Sequence, residues 1–124
     1  MKENIIKEKS MKFSIRIVTL YRILCKKKKE YVLSKQVLRA GTSIGANMAE
    51  AECAISRKDF LAKVYIAYKE CAETKYWLEL LHRTELISLE EHTSIADDCD
   101  EIYRILAAIT KTTREKLKRM RSEK

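Results

Sequence analysis

Apolar side chains recur at steps of three and four through four stretches of this chain, and no proline interrupts any of them. The 3.6-residue period of an α-helix puts such positions on one face, so each stretch reads as an amphipathic helix. Helix 1 spans about 11–27, with Phe13, Ile17, Leu20 and Leu24 inward; residues 2–10 extend it in part. Helix 2 spans about 34–53 and buries Val37, Ala40, Gly41, Ile44, Met48 and Ala51. Helix 3, about 57–82, opens on Ser56 with Asp59 at capping-box spacing and turns Phe60, Val64, Ala67, Cys71, Thr74, Leu78 and Leu81 inward. Helix 4, about 89–118, repeats the start signal with Ser88 and Glu91, then follows Ile95, Cys99, Ile102, Leu106, Ile109, Thr113 and Leu117. Short connections force neighbouring helices antiparallel. The expected fold is therefore all-α, an up-down-up-down antiparallel four-helix bundle in a single domain over 1–124, with a frayed basic tail at 119–124.

Several classes of function fall away. The longest uncharged run, Ala40 to Ala49, is ten residues, against the ~20 a membrane helix needs. The N-terminus carries no apolar signal segment, so no membrane partner and a cytoplasmic location are expected. Cys25, Cys53, Cys71 and Cys99 lie too far apart for a zinc site or a small disulfide scaffold and read as core hydrophobes. Glu79 and His82 have the spacing used by di-metal bundles, but no second copy of that motif exists, and no cofactor is expected. Both glycines sit inside helix 2, which rules out a phosphate-binding loop, and no nucleophile shows a partner set. The chain does not read as an enzyme.

Helix 3 carries more apolar surface than one core requires. Leu61, Tyr65, Tyr68 and Tyr76 form a second stripe roughly 80–160° from the first. Helix 2 offers a small-residue strip through Leu38, Gly45 and Ala49. Two readings are open: a wide intramolecular core with tyrosine hydroxyls reaching water, or an oligomer contact of tyrosines against the small-residue groove. Each glycine in helix 2 costs roughly 1 kcal/mol relative to alanine, which a close approach by a neighbouring backbone would offset.

The segments Ser43-Ile44-Gly45-Ala46-Asn47-Met48-Ala49-Glu50-Ala51, Ser56-Arg57-Lys58-Asp59-Phe60, and Ala67 through Leu78 resemble the four-helix-bundle family of rRNA-intervening-sequence proteins. The likeness runs from about Phe13 to Leu117. Some members have proline at the place of Gly45 and glycine at the place of Ala51; this chain is similar to the branch lacking both. The resemblance implies a homo-oligomer, a pentameric ring, and no enzymatic activity. Related accessory proteins of diversity-generating retroelements bind nucleic acid and a reverse transcriptase. Asn47 and Glu50 match recurrent family positions beside the core stripe, and as a structural polar pair they are expected to fix helix register through buried hydrogen bonds.

Charge supplies the functional lead. Residues 1–39 hold 12 basic and 3 acidic groups, residues 40–110 hold 7 and 13, and residues 111–124 hold 7 and 2. In the bundle topology the start of helix 1 and the end of helix 4 meet at one pole. Lys7, Lys9, Lys12 and Arg16 are thus expected beside Lys111, Arg114, Lys118, Arg119 and Arg121. Such a pole suits RNA or DNA phosphates, or it is a solvated surface that aids solubility. These segments have little aromatic interleaving, which speaks against base stacking. The alternative function is a scaffold that recruits a protein partner without touching nucleic acid.

Overall fold

The chain folds, in a computed structural model that describes residues 2–122, into α1 (Lys2–Lys28), α2 (Leu33–Ala51), α3 (Arg57–Arg83) and α4 (Leu89–Ser122), with no strand among the described residues. Each helix packs against two others: α1 on α2 and α4, α3 on α2 and α4, with no packing across the diagonals. Ion pairs fix the direction of the seam that closes the ring. Lys9 meets Glu101 at 3.0 Å and Arg16 meets Asp98 at 2.6 Å, so α1 rises as α4 descends. The first turn of α1 and the far end of α4 therefore point to the same pole. No described helix is long and apolar enough to cross a membrane.

The expected stripes form one core. Phe13, Ile17, Leu24, Val37, Ile44, Val64, Leu78, Leu81, Ile102 and Leu106 are all essentially sealed from solvent. Each such side chain contributes about 1.5–3 kcal/mol by leaving water. Helix 1 is longer than its apolar spacing suggested. Ile6 continues the stripe one turn beyond Ser10, and both are buried, because Ser10 bonds back to the Lys7 carbonyl (3.1 Å) and faces a glycine. Helix 2 stops at Ala51 rather than 53, where the Glu52 amide reaches back to Met48 and the chain turns. The tail expected to fray is helical through Ser122; residues 123 and 124 lie outside the described residues, as does Met1.

Caps explain where the helices begin. Ser88 and Glu91 form a complete capping box, each side chain bonding the other's backbone amide at 3.1 and 2.8 Å. Ser56 accepts from the Asp59 amide at 3.0 Å, while Asp59 accepts from Ile55. Helix 2 uses another device. After Lys29, whose φ is 54°, the Glu30 carboxylate folds over the helix start and accepts from the amides of Val32, Leu33 and Ser34 at 3.2, 3.0 and 2.7 Å. Negative charge there also meets the positive end of the helix dipole.

Burial alone pushes the Glu30 carboxyl up, but the backbone bonds from Ser34, Leu33 and Val32 and the Ser34 hydroxyl outweigh it, leaving it below its ordinary 4.5. A lowered folded value means the unfolded chain holds the proton more tightly. The cap's contribution is thus complete above pH 4.5 and disappears as pH falls through the folded value. Glu30→Gln is expected to cost about 1 kcal/mol at neutral pH. Urea melts should also lose part of the acid slope below pH 4.5 seen in the parent.

Two glycines bring α2 onto α1, each differently. A Cβ at Gly41 would stand 2.7 Å from Cγ1 of Ile17, a contact real side chains do not make. At Gly45 the nearest atoms are hydroxyls of Ser10 and Ser14, at 3.4 and 3.5 Å. Gly45 thus faces a helix of its own chain, which corrects its assignment to a subunit contact. The close approach at helix 2 is that of a side chain rather than the expected backbone, and it falls at Gly41, one turn earlier, where Ile17 fills the space a Cβ would take.

Candidate nucleic-acid interface

The basic residues expected to share a pole divide into two groups. Those on α1 are all engaged. Lys7 pairs with Glu52 (3.1 Å), Lys9 with Glu101 (3.0 Å), and Lys12 with Glu8 one turn before it (3.3 Å). Arg16 holds Asp98 and both the hydroxyl and carbonyl of Ser94. It lies about 21 Å up the helix from Lys2, at mid-bundle, and is not part of the pole. The cause is simple: Glu52, Glu101 and Asp98 of the acidic middle reach Lys7, Lys9 and Arg16, and Glu8 of α1 itself reaches Lys12. Such exposed pairs add little stability.

The cations on α4 are different. Among the described residues, Lys111, Arg114, Lys118, Arg119 and Arg121 form no ion pair. The register accounts for this. With Lys9 level with Glu101, the start of α1 is level with about residue 108 of α4, which continues to Ser122, about 21 Å further. Among the described residues no ion pair joins α1 to residues 111–122, and Glu115 is the one acid within that segment.

Two tyrosines from α3 join this basic helix. Arg114 lies over the Tyr65 ring, 5.2 Å from its centroid, and Lys69 approaches the same ring at 5.6 Å. Tyr68 stacks on Tyr103 of α4 with centroids 4.8 Å apart and donates its hydroxyl to the Tyr103 hydroxyl at 2.9 Å. That hydrogen bond, with burial second, raises the Tyr68 phenol above its ordinary value. Tyr65, Tyr68 and Arg114, together with Ala107, Thr110, Lys111, Glu115 and Lys118, line a hollow of about 250 Å³. Thr110 is 5% exposed, and its Oγ1 is fully buried with no hydrogen-bond partner. A buried hydroxyl left unpaired costs about 1–3 kcal/mol, and Thr113, one turn on, avoids that cost by bonding the Ile109 carbonyl.

The sequence contained this site in two parts. The tyrosine stripe on helix 3 leaves a wide intramolecular core and a subunit contact both open, and Tyr65 and Tyr68 turn toward α4 of their own chain. The aromatics that seemed missing from the basic segment come from the neighbouring helix. Of the other residues assigned to an oligomer contact, Leu38 packs on the core, Leu61 is half-buried, and Ala49 and Tyr76 are exposed. Asn47 and Glu50 do not pair with each other. Asn47 donates to the Ser43 carbonyl of its own helix (2.8 Å) and Glu50 reaches Lys63 of α3 at the surface (2.9 Å). Both lie on the α3 side of α2, each with a nearer partner. Arg39 makes a parallel surface bridge to Glu70 and Glu73.

Other clusters offer less chemistry. Cys71 and Cys99 face each other in the core with sulfurs 3.7 Å apart; their mutual hydrogen bond and burial raise the Cys99 thiol far above its usual range, so it is no nucleophile. His82 and His92 stack at 4.8 Å at the opposite pole, and no three His, Cys, Asp or Glu side chains converge on a metal position among the described residues. An apolar groove of about 470 Å³ runs between α1 and α4, past Ile15, Leu20, Ile23, Ile87 and Ile95.

Residues 2–108 match the model of a family described as 23S rRNA-intervening sequence protein. Among solved structures, the chain is similar to a protein of unknown function from the S23 ribosomal protein family of Bacteroides thetaiotaomicron. The two are 56% identical, with a TM-score of 0.88 over 90% of this chain and 99% of that one. No curated protein matches. Thr110, Lys111, Arg114 and Lys118 lie beyond the matched residues.

Proposed function

The chain belongs to the 23S rRNA-intervening sequence protein family, and from that premise we propose that it is a non-enzymatic, cytoplasmic homo-oligomer that binds RNA or DNA through phosphates. The observation that carries the reading is the end of α4, where six cations, Lys116 with the five above, stand without a carboxylate partner among the described residues. Unpaired cations at regular helical spacing release counterions from a polyanion; cations already held by carboxylates release few. Self-association, as a pentameric ring by family resemblance, draws support from large apolar side chains left on the surface, among them Met11, Ile15, Tyr76 and Leu89. A ring would multiply the basic end several-fold.

Titration of labelled RNA across salt tests the binding. If one subunit meets four phosphates of a single strand, affinity is expected to fall about 50-fold between roughly 50 and 200 mM salt. No binding at low salt, or affinity indifferent to salt, would end the proposal. The competing reading, a scaffold for a protein partner, is favoured by the apolar groove between α1 and α4. A partner that stays bound after nuclease treatment, with no RNA affinity in the purified protein, would select it.

A further inference from the structure

We infer that the hollow between α3 and α4 at the basic end is a seat for one unpaired nucleotide of a single strand. The base stacks on the Tyr65–Arg114 pair and the phosphate lies on Lys111 and Lys118. This rests on the nucleic-acid reading and sharpens it, because phosphate binding alone needs neither an aromatic surface nor a cavity.

Three independent features converge there. First, the Arg114 guanidinium sits over Tyr65, 5.2 Å from its centroid, and guanidinium groups and aromatic rings are the surfaces on which bases stack in RNA recognition. Tyr65 is 38% exposed, so the platform is open to solvent. Second, Thr110 lines the hollow, and its buried hydroxyl has no partner in the folded chain. Turned outward about its side-chain bond, that hydroxyl can donate and accept, which suits a base edge; in a duplex the pairing edges are already used, so the occupant is unpaired. Third, the cavity is about 250 Å³, below the roughly 300 Å³ at which small-molecule pockets begin. It fits one unit of a polymer held elsewhere by the basic helix better than a free cofactor.

The test uses the full chain and a fluorescent single-stranded RNA of about twelve nucleotides, alone or annealed to its complement, at low salt. The parent is expected to prefer the single strand. Tyr65→Leu should weaken single-strand binding about ten-fold, the usual scale of one lost stacking contact, and duplex binding less than two-fold. Tyr65→Phe should restore it. Thr110→Val should weaken the single strand several-fold while the melting temperature holds or rises, since it removes an orphan hydroxyl and keeps the shape. If the hydroxyl is only a packing defect, that variant gains stability and keeps its affinity, which overturns the inference. Equal affinity for strand and duplex, unaffected by Tyr65→Leu, overturns it too and leaves salt-dependent phosphate binding standing. Displacement of the RNA by micromolar nucleoside monophosphate would make a free nucleotide the occupant and also overturn it. Absence of binding to any nucleic acid removes both readings.

Discussion

Reversing Lys111, Arg114, Lys118 and Arg121 to Glu is expected to lower nucleic-acid affinity by at least about a hundred-fold at low salt, with the melting temperature nearly unchanged. The four changes take the formal net charge from +8 to zero. Their effect is local as well as global, because these side chains share one end of α4 and are free to approach a phosphate. None is held by a carboxylate among the described residues, so no ion pair is lost in the folded protein. The control is neutralisation of Lys7, Lys9, Lys12 and Arg16 to Gln. Those cations already sit on Glu52, Glu101, Glu8 and Asp98, so affinity should fall less than about ten-fold. Filter binding at fixed salt separates the sets. A loss from the neutralised set as large as that from the reversed set would mean that the α4 surface does not govern binding.

Gly41→Leu is expected to lose at least about 3 kcal/mol, a fall of roughly 10 °C or more in melting temperature. A Cβ at this position would come within 2.7, 2.9 and 3.0 Å of Cγ1, Cγ2 and Cδ1 of Ile17. Ile17 is completely buried and β-branched, so it has few rotamers to retreat into. Even Gly41→Ala, which gains about 1 kcal/mol of helix propensity, should be no better than neutral because the overpacking costs about 1–3. Gly45→Ala gains the same propensity against contacts of 3.4 Å or more, and should raise the melting temperature slightly. Pairing Gly41→Leu with Ile17→Ala restores the total volume and is expected to recover much of the loss. A Gly41→Leu protein that melts with the parent would show that α1 and α2 do not approach as closely as described.

What the sequence disclosed, and what it did not, follows from the range of the forces involved. Stripes such as Val64–Ala67–Cys71–Thr74–Leu78 are written in local spacing, and all five are buried. So are the Ser56–Asp59 and Ser88–Glu91 starts, which involve neighbours three residues apart. The Glu30 cap is equally local but uses a residue seldom found over a helix start, and nothing in composition marks it. The basic pole failed differently. Which cations stay free depends on the register of α1 against α4, and that is fixed by side chains about ninety positions apart, as in Lys9 and Glu101. The register of α3 against α4, not a missing motif, decides that Tyr65 meets Arg114. The tyrosine stripe was legible as apolar surface; its owner was not.

The seam between α1 and α4 is the thinnest of the four, with ion pairs and an open groove where the other seams have interlocked side chains. Local opening starts where little apolar surface must be exposed, so α1 is the segment whose amide protons trade with solvent first. The exposed Lys9–Glu101 and Arg16–Asp98 pairs along that edge add little, so dissolved ions that screen them barely loosen it. Rising ionic strength therefore frees a polyanion from the end of α4 well before it eases the first helix off its neighbour.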